Sequence, residues 1–335
     1  MGASTARALA RAGADVILLE RFRIPHTRGS SHGASRIFRF SYPDPMYVRM
    51  AQQALPLWRE LESETGETLL TVTGGLDIGD GLQAHAGALE SCGARYEWLD
   101  PPEARRRFPQ VALPASSTSL FQPDAGFVAA DRTVTVTAAS ARRHGAEIRE
   151  EERVVAVRPT AAGVEVETED QAYRSPVTVV TAGGWARELL AAAGIDLPVR
   201  VTRETVAYFH LDESAPLPSL VDWGSPAVYS LRSPGQGVKV GEHIAGPVVD
   251  PDEEGSPDEG SIDRLRSWVR ARLPQAEGEP HLAETCLYTV TADESFILER
   301  RGPIVIGSPC SGHGFKFAPL IGKRLATLAS EHSGA

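Results

Sequence analysis

The chain has 335 residues, 42% of them hydrophobic, which is ample for a large core and most naturally for two domains. A net charge of −10 argues against a nucleic-acid or anionic-membrane partner, and no stretch approaches the roughly 20 apolar residues that span a bilayer. Arg7, Arg11 and Asp15 interrupt any signal peptide, and the scattered Cys92, Cys286 and Cys310 fit a reduced, cytoplasmic protein with neither disulfide scaffold nor metal site.

The opening "MGASTARALARAGADVILLE" predicts a helix running to Gly13, with Gly2, Ala6, Leu9, Ala10 and Gly13 on one face, then a buried parallel-type strand ending at Glu20. This is how a nucleotide-binding βαβ unit continues after its glycine-rich turn; the strand and first two glycines of G-x-G-x-x-G do not precede it here. A start assigned at an internal methionine is the expectation, and a natural truncation the alternative. Glu20 falls where such units place the acid that binds a ribose, although by itself it could simply end a strand.

"PHTRGSSHGASRIFRFSY" is a loop dense in Gly, Ser, His and Arg. A helix is predicted from Pro45 to Glu64, with Val48, Ala51, Leu55, Trp58 and Leu61 at helical spacing and Pro56 bending it. "TVTGGLDIG" reads as a strand leaving the nucleotide domain, "DPPEARRRFP" as a short helix, and "RTVTVTAASARRHGAEIRE" as a helix delivering a strand. "VVAVRPTAAGVEVETED" reads as a hairpin, and "VTVVTAGGWARELL" as strand, glycine turn and helix start.

From Pro198 to about Thr285 the alternation is antiparallel, in "VRVTRETVAYFHL", "AVYSLRS" and "GVKVGEH", with the acidic "VDPDEEGSPDEGS" as a solvated loop. After Thr285, "GPIVIGSPCSGHGFKF" returns to strand, turn and helix. The predicted class is α/β: a discontinuous Rossmann-like dinucleotide domain over 1–78, 130–192 and 286–335, with an inserted, mostly antiparallel α+β substrate domain over 79–129 and 193–285.

Three stretches, "GSSHGASRIFR", "TCLYTVTADESFIL" and "SGHGFKF", resemble the glycine/D-amino-acid oxidase (DAO) group of flavoproteins, and within it the monomeric sarcosine oxidase and N-methyltryptophan oxidase subgroup. The resemblance runs over nearly the whole length in the same order. It implies a glutathione-reductase-type FAD domain and no metal. By its matching positions, Gly2, Glu20, Ser31, His32, Ser35, Arg36, Val154, Gly183, Trp185, Gly312, Gly314, Phe315 and Lys316 contact FAD, and Cys286 bonds covalently to the flavin 8α carbon.

The same resemblance places Lys239, His243 and Arg36 at the reacting centre, and Arg39, Lys316, Tyr229, Tyr288 and Tyr42 around the substrate. Read from the residues alone, Cys286 is as easily a small buried hydrophobe and Lys239 a solvated strand residue. Alternation puts Lys239, Gly241 and His243 on one strand face, and a cation there would stabilise charge on reduced oxygen. Arg39 and Lys316 would clamp a carboxylate, the arginine with a planar fork.

Two positions depart from the family pattern: "YSLRS" after Tyr229, and Cys310 before "SGHG". The implied reaction is oxidation of a secondary amino acid by hydride transfer to flavin N5, giving an imine and H2O2. The implied partners are the amino acid and O2, and the protein would be a monomer. The alternatives are a dehydrogenase of the same fold with another acceptor, a non-catalytic remnant, and, less consistent with Cys286 and Lys239, an NAD-linked dehydrogenase.

Overall fold

Alternation along the strands decides the architecture, because the central strands of the largest sheet carry apolar residues on one face and site residues on the other. The computed structural model describes residues 1–114, 118–212, 214 and 216–331. Its eight-stranded sheet has the order Leu282–Val290, Arg200–Phe209, Gly237–Glu242, Val228–Ser233, Ser219–Trp223, Gly75–Gly79, Ser119–Gln122 and Glu97–Leu99. Neighbours pair antiparallel except Ser219–Trp223, which runs parallel to Gly75–Gly79.

One face sends Leu76, Ile78, Ala207, Phe209, Leu220, Val238 and Val240 against Leu265 and Val269 of the helix Glu259–Arg272. The other face is read from the register. Tyr208 stands opposite Lys239, Tyr229 opposite Gly241, and Val221 opposite both Tyr229 and Asp77. Cys286 and Tyr288 lie two apart on the first strand, so they share this face.

The nucleotide-binding part is built from smaller pieces. Ile17–Glu20 pairs parallel with Glu147–Glu150, and Thr178–Val180 pairs parallel with Ile304–Ser308. Helix Gly2–Arg11 packs on helices Ala130–Arg143 and Ala318–Ser330 through small residues that include Ala6, Ala10 and Ala141. A three-stranded sheet, Arg36–Phe38, Gly126–Val128 and Leu70–Val72, presents Arg36 and leads into Arg39.

Helix Pro45–Thr65 starts where sequence signals place it. Asp44 Oδ1 accepts from Met46 N at 2.7 Å, Pro45 occupies the first turn, and Gly66 ends it in the left-handed conformation. Its apolar face, with Trp58 and Leu61, joins Phe317, Ile321 and Leu325 in the largest core. Pro56 is accommodated inside it.

Four local expectations change. The first helix ends at Arg11, and Gly13 turns out of it with φ of 83°. "TVTGGLDIG" is two strands, Leu70–Val72 and Gly75–Gly79, and the second belongs to the large sheet. The hairpin after Val154 gains a third strand, Ala172–Ser175. The end of the acidic run is helical, because Asp258 caps Glu259–Arg272 by accepting from Ser261 N at 2.7 Å.

Candidate active site

A single cavity of about 1120 Å³ runs from the Ile17–Glu20 strand to the chemical face of the large sheet. It is lined by Gly2, Glu20, Ser31, Ser35, Arg36, Arg39, Val154, Gly183, Trp185, Tyr229, Lys239, His243, Cys286, Tyr288, Gly312, Gly314, Phe315 and Lys316. Of the residues singled out in the sequence, only Tyr42 and His32 are not in the lining. Tyr42 lies directly behind Lys316. His32 is buried, with neither ring nitrogen hydrogen-bonded among the described residues; burial and then Arg36 lower its pKa to about 3, so it is neutral.

Two cation pairs, each a buried lysine with a half-buried arginine, organise the site. In the first, Arg36 donates through Nη2 to Ser30 O at 3.1 Å and lies 3.6 Å from Cys286 Sγ. Lys239 is 2% exposed; burial, then Arg36, lowers its pKa to about 7. Burial raises the Cys286 thiol, while Arg36 and Lys239 pull it back toward the thiolate.

In the second pair, Lys316 Nζ donates to Tyr42 Oη at 2.8 Å and to His313 O at 2.9 Å. Burial and Arg39 push this lysine well below its usual range. Trp58 Nε1 donates to Lys316 O at 2.8 Å and fixes the backbone there. The Arg39 guanidinium sits 4.5 Å from the Tyr42 ring centre and 4.9 Å from that of Trp223, and donates to Ser41 O at 2.8 Å. An anion entering between Arg39 and Lys316 would relieve two desolvated, mutually repelling charges, the condition that makes a carboxylate site strong.

Trp223 and Asp77 were missed in the sequence. Asp77 is 3% exposed, accepts from Trp223 Nε1 at 2.8 Å, and lies 3.8 Å from Arg39 Nη1. Burial raises its pKa and Arg39 opposes the rise. Only the pairing of Ser219–Trp223 with Gly75–Gly79 brings these residues together. One compositional signal was available: only three of the 34 Lys and Arg residues are lysines. Two of them, Lys239 and Lys316, are buried at this cavity. A chain that uses arginine nearly everywhere else keeps lysine where a compact point charge with a movable pKa is useful.

His243 follows the end of its strand; its Nε2 is 3.1 Å from Glu294 Oε2 and its ring 6.0 Å from that of Tyr288. Tyr229 is held at about 12 by burial, and burial raises Tyr288 as well, so both phenols stay protonated. Gly312 has φ of 72°, and a Cβ there would lie 2.3 Å from Tyr288 Cε2. No cluster that could hold a metal occurs among the described residues.

The arm near Glu20 suits a dinucleotide. Ser35, Thr133, Thr137 and Ser308 line the cavity with buried hydroxyls that have no hydrogen-bond partner among the described residues. Such groups are costly unless a ligand or water satisfies them. Gly183, at φ of 55°, opens the turn before Trp185, whose Nε1 donates to Asp252 Oδ1 at 2.7 Å. Glu20 accepts from Phe22 N at 3.0 Å through one oxygen.

Comparison with known proteins agrees with this geometry. The FAD dependent oxidoreductase (DAO) family matches residues 1–328. Human peroxisomal sarcosine oxidase is 35% identical, covering 98% of this chain and 89% of its own. Monomeric sarcosine oxidase of Bacillus sp. (strain B-0618) is 31% identical, with the same coverage. The solved structure of NikD, an unusual amino acid oxidase essential for nikkomycin biosynthesis, superposes with a TM-score of 0.89 at 29% identity, covering 99% of this chain and 92% of NikD. With a family match over nearly its full length and both cation pairs on one cavity, the chain belongs to the DAO family of FAD-dependent oxidoreductases.

Proposed function

We propose that this protein is an oxidase of secondary amino acids, N-methyl or cyclic, that passes electrons to oxygen and releases an imine and H2O2. The observation that carries the reading is the presence on one cavity of two cation pairs, each a buried lysine with a half-buried arginine: Arg36–Lys239 beside Cys286, and Arg39–Lys316 beside Tyr42. The sarcosine oxidases and the amino acid oxidase it resembles support the substrate class.

In this reading FAD would be held by Gly2, Glu20, Ser31, Ser35, Val154, Gly183, Trp185, Gly312, Gly314 and Phe315, and Cys286 would be the residue that carries it, through sulfur at the 8α carbon. Bound FAD supplies the acceptor for the hydride next to nitrogen. Arg39 and Lys316 bind the substrate carboxylate and set the reactive carbon's distance. Tyr229 and Tyr288 wall the amine pocket and exclude water. His243, with Glu294 on its Nε2, takes the amine proton at Nδ1, which has no hydrogen-bond partner among the described residues. Lys239 and Arg36 stabilise negative charge as oxygen is reduced. A discontinuous two-domain organisation, a monomer and a cytoplasmic location complete the proposal.

The test is peroxide release by the purified protein from sarcosine, N-methyl amino acids and cyclic imino acids, each alongside its methyl ester. Turnover of at least one acid and little of its ester is expected. Equal turnover of acid and ester would remove the carboxylate clamp, and reduction by amines without peroxide would favour a dehydrogenase.

A further inference from the structure

Behind Lys239, outside the cavity lining, lies a buried polar pair that the reaction above does not use. Tyr208 has no exposed surface, yet its Oη donates to Glu284 Oε2 at 2.8 Å. Tyr208 is the cross-strand partner of Lys239, and Glu284 stands opposite Val206, so all three project from one face of the sheet. Lys239 Nζ lies 5.6 Å from the Tyr208 ring centre, within range of the ring's negative face.

The packing leaves a junction between these groups. Gly33 has φ of 93°, and a Cβ there would be 3.5 Å from Tyr208 Oη, 3.6 Å from Lys239 Nζ and 3.4 Å from Arg36 Nη1. Asp131 Oδ1 holds Gly33 N at 2.9 Å from the first turn of its helix. The ionisable groups around Lys239 are therefore Arg36, His32, Cys286, Tyr229, Tyr208, Glu284 and Asp131. Glu284 and Asp131 are the only carboxylates among these, and neither forms an ion pair with Lys239 among the described residues.

We propose that Tyr208 and Glu284 form a positioning pair that keeps Lys239 cationic in its buried site while leaving its N–H groups free to face the cavity. A carboxylate in direct contact would cancel the ammonium's field toward the cavity and occupy its donors. One anchored by the tyrosine hydroxyl acts through space, and the tyrosine ring adds a second attraction. The role in oxygen reduction rests on the oxidase reading above; the charge-holding role does not.

With three lysines in the chain, 13C-labelled lysine gives three Cε signals, and Lys239→Met identifies the one that matters. The experiment is a pH titration of that signal in the purified protein. Glu284→Gln is expected to lower its midpoint by about one pH unit. Tyr208→Phe, which keeps the ring but releases the carboxylate, should move it as well. Midpoints unchanged in both variants, with a native near-UV circular dichroism spectrum, would overturn the proposal. If Glu284→Gln does not fold, Tyr208→Phe decides alone. Shifted midpoints in a protein that oxidises no amine would uphold the pair and overturn the oxidase reading.

Discussion

Lys316 is a buried cation and Arg39 a half-buried one, and among the described residues Asp77 is the one carboxylate within ion-pair distance of either, so a bound carboxylate is their natural complement. Replacing Lys316 with Met removes one charged partner, worth about 1.5–3 kcal/mol, so KM for an amino-acid substrate should rise roughly 10- to 100-fold with a smaller change in kcat. Steady-state kinetics check this; an unchanged KM would move the carboxylate elsewhere. Lys239 has a clear sign. Its native pKa, about 7, lies below the unfolded value of 10.5, so the unfolded chain binds more protons between the two. The destabilisation from burying the charge is therefore complete below pH 7 and relieved toward pH 10.5. Lys239→Met should melt higher than the parent at pH 6, by a margin that shrinks toward pH 10, as thermal denaturation across that range would show. A margin that grows with pH would contradict it. At this scale the sequence was legible where local alternation sufficed, as in Lys239 and Gly241. Asp77, Trp223, Tyr208 and Glu284 gave no local signal, because strand pairing across up to about 145 residues assembles them.

The helix Pro45–Thr65 was readable because its start and stop are chemical: an aspartate cap, a proline in the first turn and a glycine beyond the last. The division of "TVTGGLDIG" into two strands was not, because what separates them is the partner each finds: Gly126–Val128 for the first, and Ser119–Gln122 and Ser219–Trp223 for the second. The turn at Gly312 is where element geometry meets the site. Gly312→Ala adds a methyl 2.3 Å from Tyr288 Cε2 and 2.9 Å from His243 Cε1, at a backbone angle that favours glycine. The variant should melt several degrees lower and turn over more slowly, as both rings are displaced; a melting point and kcat equal to the parent's would show that the turn relaxes freely. Trp58→Phe keeps an aromatic ring but removes the indole N–H that the Lys316 carbonyl accepts from and leaves a gap in the core, so urea denaturation should show a loss of about 1–3 kcal/mol from the hydrogen bond plus a cavity cost.

Across the whole molecule, one sheet face and one dinucleotide groove converge on a cavity whose polar lining is under-satisfied by protein alone. A ligand that fills it couples cofactor retention to stability, because anything bound only to the folded chain stabilises it. The fold class and the family motifs were legible because "SGHGFKF" and the cysteine strand lie in short, contiguous stretches. The order of the eight strands was not, since antiparallel partners are chosen by long-range burial. The central claim is that the cavity holds FAD and that Cys286 carries it. An absorbance spectrum of the purified protein, followed by acid precipitation, tests this most directly. Yellow colour that stays with the pellet, and moves to the supernatant in Cys286→Ser, is the expected result; a folded protein that binds no flavin would contradict it.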